Sequence, residues 1–328
     1  MTETKPRRRR RGRGGGGGDG APVVPDVEFT SYYGRPVLKA SPWQDDIPAY
    51  LFLGGVAAGS SLLAAGADLT GRPALRRSGR IAALVAITGS FLALVHDLGR
   101  PERFVNMLRV AKPTSPMSVG TWILTVYGPM AGAAGASELA FLAPRFLRPL
   151  LCWLGRPAGL VAALTGPAVA SYTAVLLSDT ATPAWHEAHR ELPFVFVGSA
   201  AAASGGLGMI AAPTAQAGPA RRLAVLGAVG ELVAEQRMEA SMGMVAETLH
   251  TGRPGTLMKA SKTLTVVGAT LTAVAGRRSR AVSLLAGTSI LAGSACTRFG
   301  VFEAGQESAR DPKYTIVPQR ARLDLRAQ

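Results

Sequence analysis

Eight apolar stretches, each near the ~20 residues that a bilayer crossing requires, run through this chain at about 47–69, 80–97, 118–142, 157–178, 192–212, 220–242, 255–275 and 281–303. No water is available inside a bilayer to pair exposed N–H and C=O groups, so stretches of this length fold as helices. The pattern predicts an all-α, polytopic membrane protein of about eight transmembrane helices. The sixth stretch is broken by Glu231, Glu235, Arg237 and Glu239. It reads either as an amphipathic interfacial helix, leaving seven crossings, or as a span whose glutamates form one stripe facing the bundle interior. The four-residue spacing of Glu231, Glu235 and Glu239 favours the second. Three segments follow: a basic, glycine-rich tail and pre-helix segment at 1–46, the membrane domain at 47–303, and a C-terminal tail at 304–328.

Composition narrows the function classes. Only 17% of residues are charged, against about 25% in a soluble domain, and 39 glycines suit close helix approach. The net charge of +15 is scattered through short loops and one N-terminal arginine run, with no aromatic–basic interleaving, which argues against nucleic-acid binding. Two cysteines, Cys152 and Cys296, and four histidines are the soft ligands present. An iron–sulfur cluster takes four cysteines. His186, His189 and His250 fall in loops and His96 at a span end, so neither a cluster, a haem nor another metal is expected in this chain. The cysteines read as buried small apolar residues.

An even span count puts both termini on one face with the loops near 98–117, 179–191 and 243–254. The opposite face has compact loops near 70–79, 143–156, 213–219 and 276–280, rich in arginine and free of Asp and Glu. The positive-inside rule makes that face cytoplasmic; the N-terminal polyarginine run argues the other way.

Several polar residues converge on the terminal face: Asp45 and Asp46 at the start of the first span, His96, Asp97 and Arg100 at the end of the second, and Tyr172 near the end of the fourth. Each alone is an ordinary interfacial side chain. Together they offer a proton acceptor, carboxylates, a fixed cation and a phenol at similar depth. A quinone headgroup needs hydrogen-bond donors and a proton route of this kind. Two roles are open for Arg100: to pair with His96 and Asp97 at the helix end, or to steady a reduced quinone anion. A deeper set, Asp68, Glu138, Glu231 and Glu235, is a candidate proton path, since intramembrane carboxylates often mark one. Asp68 and Glu138 also read as plain span-end residues.

The segments IPAYLFLGGVAAGSSLL, HDLGRPERFVNML, SPMSVGTWIL, SYTAVLLSDTATPAWHEAHRELPFVFVGSA and DPKYTIVPQR resemble the NrfD/PsrC family of membrane subunits from polysulfide-reductase-type enzymes. The resemblance implies two four-helix bundles without haem, in the cell's plasma membrane. It further implies electron exchange between menaquinone or ubiquinone and a four-cluster, ferredoxin-like iron–sulfur subunit, which commonly serves a molybdopterin catalytic subunit. Carried onto this chain, the family's quinone contacts fall on Asp45 or Asp46 and on Tyr172. The first-span start reads WQDDIPAY, without the asparagine and histidine of described members. Arg103, Arg109 and Lys112 then become docking residues on the loop beyond His96. Two other classes stay open: a proton or small-solute transporter using the intramembrane carboxylates, and a purely structural membrane anchor.

Overall fold

The computed structural model describes residues 36–100, 102 and 104–327. The basic tail at 1–35 and Arg103 therefore lie outside the described residues, within which every regular element is a helix. The long ones are α1 (Asp46–Leu69), α2 (Pro73–Asp97), α4 (Pro116–Glu138), α5 (Arg148–Ser178), α7 (Leu192–Ala211), α8 (Gly218–Ser241), α9 (Gly252–Ala275) and α10 (Arg280–Arg310). Short helices α3 (Phe104–Met107), α6 (Pro183–Glu187) and α11 (Lys313–Ala327) lie on the terminal side. Of these, α1, α2, α5, α7 and α10 are long and apolar enough to cross a membrane. The chain is an all-α polytopic membrane protein.

The helix starts are written in proline. Pro73, Pro116, Pro149, Pro183, Pro193 and Pro219 occupy the first turns of their helices, where the missing N–H has no intrahelical acceptor to lose. Gly71, Gly99, Gly243 and Gly252 hold the positive φ values of the intervening turns, a conformation that costs other residues more. Helix ends depart from the apolar stretches. α2 begins at Pro73 and α5 at Arg148, well before the expected 80 and 157, and α10 runs to Arg310 beyond 303. Hydropathy marks only the lipid-immersed part, whereas backbone hydrogen bonding continues while arginines extend toward water. For the same reason the expected C-terminal tail is helical over most of its length.

The helices pack as two sets of four, α1, α2, α4 and α5 in one and α7 to α10 in the other, joined by α1 against α7 and α10 and by α5 against α7. The interior is mostly alanine, glycine and leucine with hydroxyl groups between. Ser61 and Tyr127 are 2.9 Å apart between α1 and α4, Ser199 and Ser294 2.7 Å apart between α7 and α10, and Ser204 donates to the Val56 carbonyl at 3.1 Å. Such bonds are worth about 0.6 kcal/mol each in a membrane bundle. Cys152 is exposed and Cys296 half-buried, which corrects the expectation that both are core residues. Cys152 stands in the second turn of α5, on its outward side.

Trp185 fastens the terminal side. Its indole N–H donates to the Val301 carbonyl at 2.9 Å, and its ring lies 5.8 Å from Trp43 and 5.6 Å from Phe302. It fits because residue 305 of α10 is glycine: a Cβ there would overlap the indole. The Gln306 amide donates to the Ser41 and Trp43 carbonyls at 3.3 and 3.1 Å, fixing the segment that leads into α1. Lys313 reaches Glu247 at 3.1 Å. Its ammonium is held above the usual lysine range by Tyr314 and Glu247, which ties the start of α11 to the loop after α8.

Candidate functional site

The terminal ends of α1 and α2 meet through two side chains. His96 Nδ1 and Asp46 Oδ2 are 2.8 Å apart, with the imidazole 79% exposed and the carboxylate 32% exposed. Asp97 faces the Gln44 backbone amide, while Asp45 is exposed at the N-cap of α1. Arg100 is exposed, and among the described residues it makes no ion pair with Asp97 or another carboxylate. The first of the two roles open to Arg100 is thus replaced by a pairing of His96 with Asp46. The helix ends at Asp97 and Gly99 takes a positive φ of 65°, so the chain turns away before Arg100.

Directly below this pair is a cavity of ≈ 240 Å³ between α1, α2 and α4, lined by Tyr50, Ile87, Thr88, Phe91, Leu124 and Gly128 among others. Tyr50 is one helical turn below Asp46, about 6 Å, and Phe91 lies about 7 Å below His96. Ser90 donates to the Tyr50 carbonyl at 3.1 Å, holding α1 to α2 along the cavity wall. On α4 the lining residues Leu124, Gly128 and Gly132 recur every four residues and so share one face. Gly120 is the next position up that stripe, and the Tyr172 ring packs on it so closely that a Cβ would overlap it. The Tyr172 hydroxyl is buried without a hydrogen-bond partner. Leaving such a donor unpaired costs about 1–3 kcal/mol, so it is a group prepared to donate.

The four intramembrane carboxylates fall in two places. Asp68 and Glu138 sit at the opposite face in a cluster of arginines. Arg80 reaches Glu138 at 3.0 Å and Asp68 at 3.4 Å; Arg76 reaches them at 2.9 and 3.4 Å; Arg156 approaches Asp68 at 3.5 Å. Glu231 and Glu235, on α8, are buried inside the second bundle. Thr297 of α10 donates to Glu231 Oε1 at 2.6 Å, and Ser261 of α9 lies 2.6 Å from Thr297. A threonine hydroxyl has one proton to give, so with Thr297 donating to Glu231 the serine donates to Thr297, and three helices share one directed chain. Beside it the Arg298 guanidinium stacks 3.8 Å from the Phe196 ring and donates to the Phe196 carbonyl at 2.6 Å. Its Nε and Nη1, with Glu231 Oε2 and Glu235 Oε2, are buried and unpartnered. No hydrogen bond or ion pair among the described residues links this network to Asp68 or Glu138, so the expected path is two separate clusters.

On the terminal face, Asp45 and Asp46 also border a cleft of ≈ 680 Å³ against α10, with Arg253, Glu303 and Arg310 on the other wall. Arg253 is bound to Glu303 at 3.1 Å. Arg109 and Lys112 are exposed on the loop before α4, and the Lys112 backbone N–H is fixed by Ser118 at 2.9 Å.

Two participants were missed from sequence. Arg298 carries a signal, a lone arginine inside an apolar span, which by itself marks an interior polar site. Tyr50 carries none, because an aromatic residue one turn inside a membrane helix also reads as an interface anchor.

A family model described as polysulphide reductase, NrfD, matches residues 38–309, from just before α1 to the end of α10. No curated protein matches the chain.

Proposed function

The chain belongs to the polysulphide reductase NrfD family, whose members are membrane subunits of quinone-interacting oxidoreductase complexes, and from that premise we propose that it binds a membrane quinone in the cavity between α1, α2 and α4. The observation that carries this reading is the position of that cavity: one to two turns beneath the Asp46–His96 pair, with Tyr50 in its wall and the ring of Tyr172, whose hydroxyl is unpartnered, packed from α5 on Gly120 one turn higher on the α4 stripe. A flat ring with two carbonyl oxygens needs apolar walls and donors near its edge, and the residues fit that need.

When bound, a quinone supplies two-electron, two-proton redox chemistry. The chain's own residues do the rest. Ile87, Phe91 and Leu124 exclude water from the ring face. Tyr50 and Tyr172 donate hydrogen bonds toward the carbonyl edge. His96, exposed above and bonded to Asp46, moves protons between the cavity mouth and terminal-face water; Asp45, Asp97 and Arg100 shape the charge around that mouth. Glu231 and Glu235, with Thr297 and Ser261, form a second proton path in α7 to α10, whereas Asp68 and Glu138 serve as anchors held by Arg76 and Arg80. In this reading all eight long helices cross the plasma membrane with the arginine-rich face cytoplasmic. A ferredoxin-like iron–sulfur subunit docks on the terminal face near Arg109 and Lys112, and is itself joined to a molybdopterin catalytic subunit.

Steady-state quinone turnover by the purified complex tests the site. Tyr50→Phe and Tyr172→Phe are expected to raise the KM for quinone about 3- to 10-fold, the worth of one neutral hydrogen bond, and His96→Ala to lower kcat. Activity of the catalytic subunit with a soluble artificial donor is expected to stay constant. Unchanged quinone kinetics in all three variants refutes the site. The Ser261–Thr297–Glu231 chain favours one second reading, a proton channel that works without quinone. Proton uptake into proteoliposomes holding this chain alone is the observation that selects it.

A further inference from the structure

On the face opposite the termini, a cleft of ≈ 670 Å³ opens between α8 and α9, and Arg72, Arg221, Arg222 and Arg277 stand around it. Five other arginines on this face are partnered; among the described residues Arg145 and Arg278 are not, and Arg77 has only the Phe141 ring at 5.7 Å. Arg76, Arg80 and Arg156 bind Asp68 or Glu138. Arg148 donates to the Phe141 and Ala143 carbonyls, and Arg280 to those of Met209 and Ala212. Among the described residues, none of the four cleft arginines pairs with a carboxylate. Only Arg221 has a fixed acceptor, the Thr214 carbonyl at 2.9 Å. Four guanidinium groups gathered without a counter-charge repel one another, and an anion placed among them relieves that repulsion.

The cleft is also built and amphiphilic. The turn carrying Arg72 is held against the loop before α8 by the Gln216 side chain, which accepts from the Ala74 amide at 2.9 Å. Toward the membrane interior the same cleft is walled by Leu226 and Ala273, and Leu226 is 71% exposed, an apolar surface continuous with the lipid-facing side of α8. Arginine forks suit phosphate oxygens, and basic pockets between membrane helices recognise acidic headgroups. Free phosphate satisfies the arginines and leaves the apolar wall bare; a phospholipid satisfies both. We propose that this cleft holds the headgroup of an anionic phospholipid, with an acyl chain lying along Leu226. The site is independent of the quinone cavity and lies at the other membrane face.

Native mass spectrometry of the full-length chain, released from detergent after exposure to equal amounts of phosphatidylglycerol and phosphatidylcholine, reads the site directly. Wild-type protein is expected to retain phosphatidylglycerol in preference. The double variant Arg221→Gln/Arg222→Gln is expected to weaken that retention about 25-fold, roughly fivefold per arginine, and Arg145→Gln, elsewhere on the same face, to leave it unchanged. Excess inorganic phosphate is expected not to displace the lipid. Equal retention of both lipids, an unaltered double variant, or displacement by inorganic phosphate each overturns the proposal, the last by reassigning the cleft to a soluble anion. If the double variant does not fold, wild-type protein still decides the matter. Phosphatidylglycerol retention must fall with ionic strength while phosphatidylcholine retention does not, and a salt-independent preference refutes the site.

Discussion

Replacing Arg80 with methionine separates a buried ion cluster from a surface one. The Arg80 side chain is 7% exposed and touches Glu138 at 3.0 Å and Asp68 at 3.4 Å, carboxylates that are themselves 9% and 13% exposed. Removing one member of a buried pair costs about 3–5 kcal/mol, because the remaining charge is stranded. Here it is not wholly stranded, since Arg76 still reaches Glu138 at 2.9 Å and Asp68 at 3.4 Å. The expected loss is therefore below that range, about 2–3 kcal/mol. Arg156 makes one 3.5 Å contact with Asp68 from a side chain that is 68% exposed, so Arg156→Gln is expected to cost under about 1 kcal/mol. The double variant Arg80→Met/Glu138→Met removes both charges and is expected to be more stable than the sum of its singles by about 1–3 kcal/mol. Reversible unfolding in mixed detergent micelles measures all four. If Arg80→Met falls within about 0.5 kcal/mol of Arg156→Gln, the spread of ordinary surface changes, or if the double variant is additive, the cluster is not the buried anchor described.

Thr297→Val keeps the side chain's shape but cuts the chain from Ser261 to Glu231; a loss of about 1–3 kcal/mol is expected on unfolding, with Thr297→Ser recovering most of it, and equal behaviour of the two variants contradicts the network. Gly305→Ala forces the Trp185 indole from its seat, so a destabilisation of about 1–3 kcal/mol is expected together with a shifted tryptophan emission spectrum, and an unchanged spectrum refutes the packing. Arg280→Gln removes the guanidinium bonds to carbonyls at the end of α7 at 2.7 and 2.8 Å; bonds of this charged kind contribute about 1.5–3 kcal/mol, and a midpoint equal to wild type shows that water replaces them at no cost.

The membrane helices were legible because lipid imposes one rule on every span, and α1, α2, α5, α7 and α10 meet it by length and composition. The glutamate stripe of α8 was legible for the same reason, since a four-residue spacing on a helix admits only one face. Helix ends were not: the two turns from Pro73 to Arg80 are rich in arginine, and nothing in hydropathy separates polar helical turns from a loop. Nor was the partner of His96. Arg100 is nearer in sequence, but the Gly99 turn carries it off while the meeting of α1 and α2 brings Asp46 across a separation of 50 residues. Asp68 and Glu138 looked like Glu231 from sequence alone, as carboxylates near or within spans. What distinguishes them is arginines of α2 and α5 for the first two and hydroxyl groups for the third. Tertiary packing supplied both.

A photoactivatable azidoquinone, cross-linked to the purified complex in lipid and mapped by peptide mass spectrometry, tests the quinone site most directly. Label is predicted on the α1, α2 and α4 peptides carrying Tyr50, Phe91 or Leu124, to be displaced by excess unlabelled quinone, and to be reduced by Gly120→Ala, whose Cβ would overlap the Tyr172 ring and displace it. Displaceable label confined to peptides of α7 to α10, with none on α1, α2 or α4, contradicts the assignment.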